Sequence, residues 1–519
     1  MNYTNLEVVS LLGVNISSPI PMNVSSSLRY VDLVNTNLQG VLTESFFLLP
    51  NLEKLILRIN DLVERVLPKI HPSNTLLELD ISFTGICGEL PDSIGTLRSL
   101  SHLNLGGCDL SGSIPDSIGN LTEIRELNFR GTNFTGHIPS TISKLRQLTF
   151  LDLSSNFLEG EIPNVFSNLQ ELVELYLSRH SFVGPFPSSI LSLTHFQSLD
   201  LSSNSLYGPL PNNASMLQKL TCLNLSNNSL NGTMPSWAFS LPSLSGLWFD
   251  HNRFSGLADE LKMNPTLEIL DLSHNQLCGP VLRSLGNLTN LVTFDLSSNN
   301  ITSDEGVKIT FPSLTCLYLS FCELKAFPHF LRNSKALEFL DLSNNAIHGP
   351  IPNWFSSMRW DSLLNLNLSH NSLISHLEQL HNYHNLLSLD VKFNFLQGPL
   401  PFPIRKLNNL RLLDLSHNHL SESIPHCLGS MAELVILDLR KNNFTGSLPS
   451  LCARSTSLTT IAFNHNQLEG AIPLSLHNCR QLEIFDVGNN AINYTFPAWL
   501  GTLPELRVLV LTRTSSMDL

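Results

Sequence analysis

The chain has 519 residues, of which only 14% are charged, and its formal net charge is −13. Binding to a nucleic-acid backbone requires clustered Lys and Arg, so this acidic balance excludes nucleic acid as the partner. No run approaches 18 consecutive apolar residues, and the opening MNYTNLEVVSLLGV has no basic segment before an apolar one. We therefore expect neither a membrane span nor a signal peptide within this chain.

One hydrophobic pattern recurs along almost the whole sequence. Residues 148–163 read LTFLDLSSNFLEGEIP, and residues 410–425 read LRLLDLSHNHLSESIP. The leading apolar residue occurs 22 times, from Leu6 to Leu506, and most intervals are 24 residues long. This period, with LxxLxLxxNxL, is the signature of leucine-rich repeats. The predicted fold is α/β: a right-handed leucine-rich-repeat solenoid, shaped as a horseshoe or superhelix, with a parallel sheet on its concave face.

Each unit begins with a short predicted strand such as Leu151-Asp152-Leu153. Alternation places both leucines in the core and Asp152 on the opposite face. Asp recurs at this position in eleven units, Asp438 among them, and we expect a solvated acidic stripe on an open sheet. Catalysis needs a pocket that excludes water and perturbs pKa values, so the stripe predicts a protein that is not an enzyme.

An Asn follows the strand in 14 of the 22 units, for example Asn156. Its side-chain amide is expected to pair with backbone groups of adjoining coils that would otherwise be buried without partners. His180 stands unusually in this column, and Val14 cannot form such bonds. The remaining substitutes are side chains that can hydrogen-bond in place of Asn: Thr36, Thr84, Cys108, Thr132, Cys322 and Thr514.

The second half of each unit reads GxIP or GxLP, as in Gly136–Pro139, and predicts a turn followed by a short 3₁₀ or α turn on the outer side. The regularity of the repeat divides the chain into four segments. Residues 1–280 and 387–511 are regular repeats, 281–386 are less regular repeats of the same solenoid, and 512–519 form a tail without repeat character.

The pattern LxxLxxLxLxxNxLxGxIP, with its 24-residue period, resembles the plant extracellular class of leucine-rich repeats over nearly the whole chain. Four segments, 46–57, 88–100, 324–345 and 472–511, resemble plant receptor-like proteins, a group that includes the Cf-type disease-resistance receptors. The last segment, IPLSLHNCRQLEIFDVGNNAINYTFPAWLGTLPELRVLVL, is the most specific. The resemblance implies a kinase-free ectodomain at the plasma membrane that binds a microbial or endogenous protein or peptide ligand. It also implies signalling in defence or development through receptor-like kinase co-receptors.

Receptors of this group usually begin with a signal peptide and a cysteine-paired cap, and they continue into further repeats and a membrane helix. Here Leu6 is already in register, and only eight residues follow Leu511. We therefore expect a chain truncated at both ends, since repeat arrays need polar end caps. Two alternatives stay open: a secreted protein similar to polygalacturonase inhibitors, and a fragment that does not signal.

Asn-x-Ser/Thr sequons are numerous, which fits an extracellular protein, although an Asn- and Ser-rich repeat also generates them by chance. The candidate glycosylation sites are Asn2, Asn15, Asn23, Asn120, Asn133, Asn213, Asn224, Asn227, Asn231, Asn287, Asn300, Asn367, Asn443 and Asn493.

Nine cysteines are an odd number, so at least one must remain unpaired in an oxidising compartment. Cys427 and Cys452 lie about one period apart on adjacent coils, where a disulfide is a possible pairing. Most of the cysteines are better explained as small buried apolar residues. No cysteine or histidine spacing indicates a metal site, and no cofactor is expected.

Ligand-binding residues are sought where the inner face departs from LDLSSN, because exposed aromatic and Arg side chains on a rigid sheet are frequent interface hot spots. A glycan on Asn224 would cover or stack on Trp248, which stands in the same column one coil later. The candidate ligand-binding residues are Glu126, Arg130, Tyr176, Arg179, His180, Trp248, Asp250, His251, Tyr318, Phe321, Lys392, Phe393, Arg440 and Lys441.

Overall fold

The computed structural model describes residues 5–17, 25–72, 75–258, 264, 266–279, 285–286, 288–302, 310–377, 383–452, 457–493 and 497–512. The chain forms two compact units, residues 1–267 and 268–519. Both units are built from stacked coils that each begin with a three-residue parallel strand, so the predicted leucine-rich-repeat solenoid is confirmed.

The described part of the first unit contains eleven such strands, which we call first strands. They are Val8–Ser10, Tyr30–Asp32, Lys54–Ile56, Glu78–Asp80, His102–Asn104, Glu126–Asn128, Phe150–Asp152, Glu174–Tyr176, Ser198–Asp200, Cys222–Asn224 and Gly246–Trp248.

The described part of the second unit also contains eleven first strands. They are Ile269–Asp271, Thr293–Asp295, Cys316–Tyr318, Phe339–Asp341, Asn365–Asn367, Ser388–Asp390, Leu412–Asp414, Ile436–Asp438, Thr460–Ala462, Ile484–Asp486 and Val508–Val510.

Within each unit the first strands pair in parallel with equivalent residues side by side, as in Leu127 opposite Leu151. The middle residue is buried in every described first strand except Val8–Ser10 and Val508–Val510, because alternation along a strand points it into the coil. Within each unit the flanking residues of the first strands therefore lie on one face, which we call the strand face. The same register runs through the irregular stretch, where Phe294 aligns with Leu317 and Leu317 with Leu340.

The Asn column ties successive coils together, as predicted. The Nδ2 atom of Asn156 donates to the Leu153 carbonyl of its own coil at 2.8 Å and to the Phe129 carbonyl of the preceding coil at 2.7 Å. Its Oδ1 accepts from the Phe134 amide at 2.9 Å. One buried amide thereby satisfies backbone groups in two coils, which would be costly to leave unpaired.

The substitutes in this column also form hydrogen bonds, but fewer of them. The Thr132 hydroxyl donates to the Phe129 carbonyl of its own coil at 3.0 Å. The Cys322 thiol reaches the Leu296 carbonyl of the preceding coil at 3.3 Å. Thr514 lies outside the described residues.

Additional short strands follow the Asn column. In the first unit they are Gly40–Val41, Asn60–Val66, Thr84–Glu89, Asp109–Ser111, Thr135–Gly136, Phe157–Glu161, Ser181–Val183, Tyr207–Pro209, Ser229–Met234 and Arg253–Leu257. In the second unit they are Cys278–Gly279, Asn300–Ile301, His348–Gly349, Ser372–Leu373, Gln397–Pro399, His419–Ser423, Asn443–Ser447, Gln467–Gly470 and Ala491–Ile492.

The outer side of the coils carries short helices, as the GxIP pattern predicted. Gly136 turns the chain with a φ of 74°, a conformation that a Cβ disfavours. The α-helices are Glu44–Phe47, Trp237–Ser240 and Asn353–Ser357. The 3₁₀ helices are Asp92–Thr96, Asp116–Asn120, Ser140–Lys144, Phe166–Asn168, Ser188–Ser192, His329–Asn333, Phe402–Lys406, His426–Ser430, Leu474–Asn478 and Ala498–Thr502.

Large rings fill the coils in the stretch 281–386, where the GxIP pattern is often missing. Phe355 packs against Phe327 and Trp360 with ring centroids 4.9 and 5.0 Å apart. The Trp360 indole is fully buried and donates to the Phe355 carbonyl at 3.0 Å. Parts of this stretch, including 303–309 and 378–382, lie outside the described residues, and the division of the chain at 281 and 386 stays a prediction.

The sequence suggested Cys427 as the disulfide partner of Cys452, and this partner was wrong. Cys452 bonds to Cys479, with Cα atoms 5.4 Å apart, whereas Cys427 keeps a free thiol. Counted along the repeat, Cys427 shares its position with Leu451 of the following coil and not with Cys452. Cys479 directly follows the outer turn Leu474–Asn478 of the next coil, which brings it to Cys452.

Candidate ligand-binding surface

The predicted ligand-binding side chains occupy a few repeated positions along the strand face. We call the residue directly before the Asn column the pre-Asn row, and the residue directly after it the post-Asn row. Glu126 begins a first strand, and Tyr176, Trp248 and Tyr318 end one. Two residues beyond a first strand lie Arg130, Asp250, Lys392 and Arg440; the pre-Asn row contains Arg179, His251, Phe321, Phe393 and Lys441. These thirteen side chains are exposed or half-buried.

The pre-Asn row has a left-handed backbone conformation. The φ angle is 60° at Arg179, 53° at Phe321 and 51° at Phe393, a region that is uncommon for bulky residues. Because this conformation recurs from coil to coil, the side chains of the row emerge at the same edge of the strand face. Phe321 is 58% exposed there.

In the first unit several of the predicted residues are already engaged by neighbours. Glu126 lies 3.5 Å from His102 on the preceding coil. The Tyr176 hydroxyl donates to the Glu174 carboxylate at 2.8 Å, and burial raises the pKa of Tyr176. Asp250 lies 3.0 Å from the ring of His251. These contacts hold the side chains in fixed positions on the strand face.

The Trp248 ring folds back onto its own strand. A Cβ added at Gly246 would stand 2.3 Å from Cη2 of Trp248, so the ring lies directly over this glycine. Asn224 is aligned with Trp248 on the neighbouring strand, and its Oδ1 accepts from the Ser226 amide at 3.0 Å. Gly246 thus determines where the ring rests.

In the second unit basic side chains pair with the strand aspartates. Lys392 lies 2.9 Å from Asp390 and 3.5 Å from Asp414, and Arg440 lies 2.8 Å from Asp438. These pairs neutralise part of the acidic column at the coils that carry Lys392 and Arg440. Lys441, exposed in the pre-Asn row, adds a further positive charge beside them.

Next to these cations lies a ladder of rings. Phe393 stacks between His370 and His417, with centroid distances of 4.3 and 3.8 Å and ring planes within 21° of parallel. Burial lowers the pKa of His417, and the positive charges of Lys441 and Arg440 lower it further.

Beside this ladder, an open depression of about 380 Å³ lies between the pre-Asn and post-Asn rows. Phe395 and His419 line it on the post-Asn side. These two residues are not among the predicted ones, because the predicted positions end at the Asn column. The available signal was two rings 24 residues apart at one repeat position.

The strand aspartates are less exposed than the predicted solvated stripe. Asp152 is 5% exposed and Asp438 6%. Each carboxylate accepts a hydrogen bond from the amide two residues ahead, as Asp152 does from Ser154 at 2.8 Å. Burial, followed by the charge of Asp414, raises the pKa of Asp438 to about 6. The expectation of full solvent access is therefore wrong, because each carboxylate also accepts a hydrogen bond from the turn that ends its strand.

His180 was predicted to bind ligand, but its ring turns inward as part of the Asn column. Nε2 donates to the Leu153 carbonyl of the preceding coil at 2.8 Å, the bond that Asn forms elsewhere in the column. Nδ1 is buried and makes no hydrogen bond within the described residues. Burial lowers the pKa of His180 to about 4, so its ring is neutral near pH 7. These contacts give His180 a structural position in the Asn column, and its predicted role in ligand binding stays a prediction.

The sequons differ in accessibility. Asn2, Asn23 and Asn287 lie outside the described residues. Asn224 and Asn367 are half-buried at the ends of first strands, each with Oδ1 accepting from the amide two residues ahead. The other nine are exposed at the surface: Asn15, Asn120, Asn133, Asn213, Asn227, Asn231, Asn300, Asn443 and Asn493.

Within the described segments, no helix is both long enough and apolar enough to cross a bilayer. The same segments contain no group of three or more His, Cys, Asp or Glu placed to hold a metal ion.

The repeat pattern matches known sequence families. A family described as "Leucine-rich repeat region" matches residues 176–348. A second, described as "Leucine Rich Repeat", matches 99–121, 123–145, 147–169, 409–431 and 433–454.

Among curated proteins the chain is similar to two receptor-like proteins of Arabidopsis thaliana. It is 38% identical to Receptor-like protein 47 over 267 residues, which are 47% of this chain and 32% of that protein. It is 34% identical to Receptor-like protein 35 over 276 residues, which are 50% of this chain and 28% of that protein. The match therefore spans about a third or less of the length of these relatives.

Two solved structures are similar over nearly the whole chain. A plant peptide hormone receptor, RGFR1, in complex with RGF2 has a TM-score of 0.82 and 27% identity, covering 98% of this chain and 87% of that one. The Arabidopsis receptor kinase HAESA, in complex with the peptide hormone IDA and the co-receptor SERK1, has a TM-score of 0.72 and 28% identity, covering 98% and 91%.

Stacked 24-residue coils and the two matching repeat families define a leucine-rich-repeat protein. The chain is similar to plant leucine-rich-repeat receptor-like proteins.

Proposed function

We propose that this chain is the ligand-binding region of a plant receptor-like protein, located on the extracellular side of the plasma membrane. It binds a protein or peptide ligand and signals in defence or development through partner receptor kinases. The similarity to ectodomains solved with peptide hormones, in one case with a co-receptor, supports this proposal. We also propose that the chain binds without catalysing, because its candidate surface is open to solvent.

The observation that carries the proposal is the ring ladder of the second unit. Many coils have Ser or Asn in the pre-Asn row, but here Phe393 stacks between the imidazoles of His370 and His417. Lys441 occupies the same row on the coil after His417. Exposed rings beside a cation are costly to maintain without a partner and are typical of interface hot spots. The ladder therefore supports a binding role for this part of the strand face.

Peptide selection tests this proposal. The full chain, secreted behind a cleavable leader, is used to select binders from a random peptide library displayed on phage. Selected peptides are then measured against Phe393→Ser and, as a matched control, Leu474→Ser, which removes a 75% exposed apolar side chain from an outer turn.

We expect the Phe393 variant to weaken binding by at least roughly tenfold, the effect of losing one hot-spot ring, and the Leu474 variant to bind normally. Addition of the SERK1 ectodomain then tests for a ternary complex. Failure to select any peptide, or selected peptides that bind both variants like the wild type, would contradict the proposal.

A further inference from the structure

Phe395, His419 and Asn443 occupy the post-Asn row of three successive coils. Each directly follows a buried column residue, Asn394 or Asn418 in the first two cases. Asn443 opens the sequon Asn443-Phe444-Thr445, in which the first and third residues are exposed and Phe444 is fully buried. The fold therefore anchors this sequon while it presents both residues that glycosylation requires.

The two rings of the row present an unusual apolar surface. Phe395 is 47% exposed, and its ring lies 5.8 Å from that of His419 at an angle of 30°. Both line the open depression, whose opposite wall is formed by Phe393 and His417. The strand Asn443–Ser447 pairs with His419–Ser423 so that Asn443 faces Ser421, two residues beyond His419 on the same side of that strand. His419 stands in the same diagonal relation to Phe395, because it faces Gln397 on the coil before.

We propose that Asn443 carries an N-linked glycan whose first two sugars lie on His419 and Phe395. The Nδ2 atom attacks C1 of an oligosaccharide held on a lipid diphosphate. The Nδ2–C1 bond forms, the C1–O bond to the diphosphate breaks, Nδ2 loses one proton, and the lipid diphosphate leaves. The C–H face of an N-acetylglucosamine ring is apolar and flat, and it covers exposed ring surface that would otherwise face water.

The other sequons within the described residues do not combine these features. Asn133 lies in the same row, but Asp109 precedes it there and a single ring, Phe157, follows it. Asn300 lies in the same row, but its neighbours in that row are Gln276 and Glu323, which carry no rings. Asn224 lies beside Trp248, as noted from the sequence, but its amide oxygen is engaged and the indole rests on Gly246. Among the sequons that the structure describes, Asn443 is therefore the one with rings on both coils before it.

A glycan seated in this way covers the post-Asn side of the depression and leaves Lys441 and the pre-Asn ladder as the wall open to a ligand. The inference rests on the extracellular location in the proposed function, since glycosylation occurs in the secretory pathway. Its test does not involve a ligand. A failure of peptide binding is therefore distinguishable from a failure of this inference.

The experiment uses the full chain secreted from plant cells behind a cleavable leader. The native protein is treated with an endoglycosidase that cuts between the two core N-acetylglucosamines. Mass spectrometry of glycopeptides then follows release at Asn443 and at Asn300 in the same molecules. Phe395→Ala, His419→Ala and the ring-preserving Phe395→Tyr are compared with the wild type.

We expect slow release at Asn443 in the wild type, roughly fivefold faster release in Phe395→Ala, and a wild-type rate in Phe395→Tyr. His419→Ala accelerates release as well, and release at Asn300 is the same in every variant. An unmodified Asn443 overturns the inference. So does a release rate at Asn443 that does not change when either ring is removed.

Discussion

His180 should make this protein unusually sensitive to acid at one coil. Its imidazole replaces the amide of the Asn column and donates to the Leu153 carbonyl, but its second nitrogen is buried without a hydrogen bond in the described structure. Protonation would place a charge in this site. Burial therefore holds the pKa of His180 near 4, below its usual 6.5. His180→Asn restores the column residue and removes the titrating group.

The sign and size of the effect follow from linkage between folding and protonation. A histidine whose pKa is lowered by folding binds its proton more tightly in the unfolded chain, so its contribution to stability is present above pH 6.5. That contribution is lost as the pH falls through 6.5 towards 4. The difference between the unfolded pKa of 6.5 and the folded pKa of about 4 corresponds to about 2 kcal/mol of unfolding free energy lost at pH 5 and about 3 kcal/mol below pH 4.

The measurement is urea unfolding of the wild type and of His180→Asn at several pH values, followed by circular dichroism. The difference between the two proteins cancels titrations that they share. We expect the variant to gain about 2 kcal/mol over the wild type between pH 7 and pH 5. A difference that stays constant over this range would show that His180 is not held neutral by the fold. His348→Asn, which changes an exposed histidine, serves as the control.

Three further predictions concern the coils. Asn418→Ala should lower the unfolding free energy by about 3 kcal/mol because four backbone groups lose a partner, and Asn418→Thr by less; equal losses would contradict this. Gly246→Ala should displace the Trp248 ring and shift its fluorescence to longer wavelength, whereas an unchanged spectrum would place the ring elsewhere. Cys479→Ser should cost about 3 kcal/mol, whereas Cys427→Ser should cost little; the reverse order in urea unfolding would assign the bridge to Cys427.

The coil architecture could be predicted because every unit repeats the same local constraints. A middle leucine such as Leu127 must be buried, and a column residue such as Asn156 must satisfy backbone groups of two coils. These requirements recur at fixed spacing, so the register of the first strands follows from counting residues. By the same counting, thirteen of the fourteen candidate residues stand at strand, post-strand or pre-Asn positions, and His180 stands in the Asn column; their role in binding stays a prediction.

Counting failed where a side chain has two possible environments. Asp152 and Asp438 stand at a strand position that alternation assigns to solvent, but their carboxylates also accept from the next turn and are covered by neighbouring side chains. His180 occupies a column that the pattern marks as interior, yet its residue type suggested surface chemistry. Repeat position proved the better guide to His180, and the hydrogen-bonding geometry of the turn decided the aspartates.

The row beyond the Asn column shows why the candidate surface could not be completed from sequence. Alternation along a three-residue strand says nothing about residues that follow a turn, so Phe395 and His419 belonged to no predicted face. Their importance depends on the side chains before the Asn column and on the neighbouring coil, because Phe393, His417 and Lys441 line the same depression. Binding chemistry on a repeat protein is therefore arranged across coils, whereas the sequence pattern is defined within one. In this chain, aligning the post-Asn row across coils is also what places the Asn443 sequon beside the two rings.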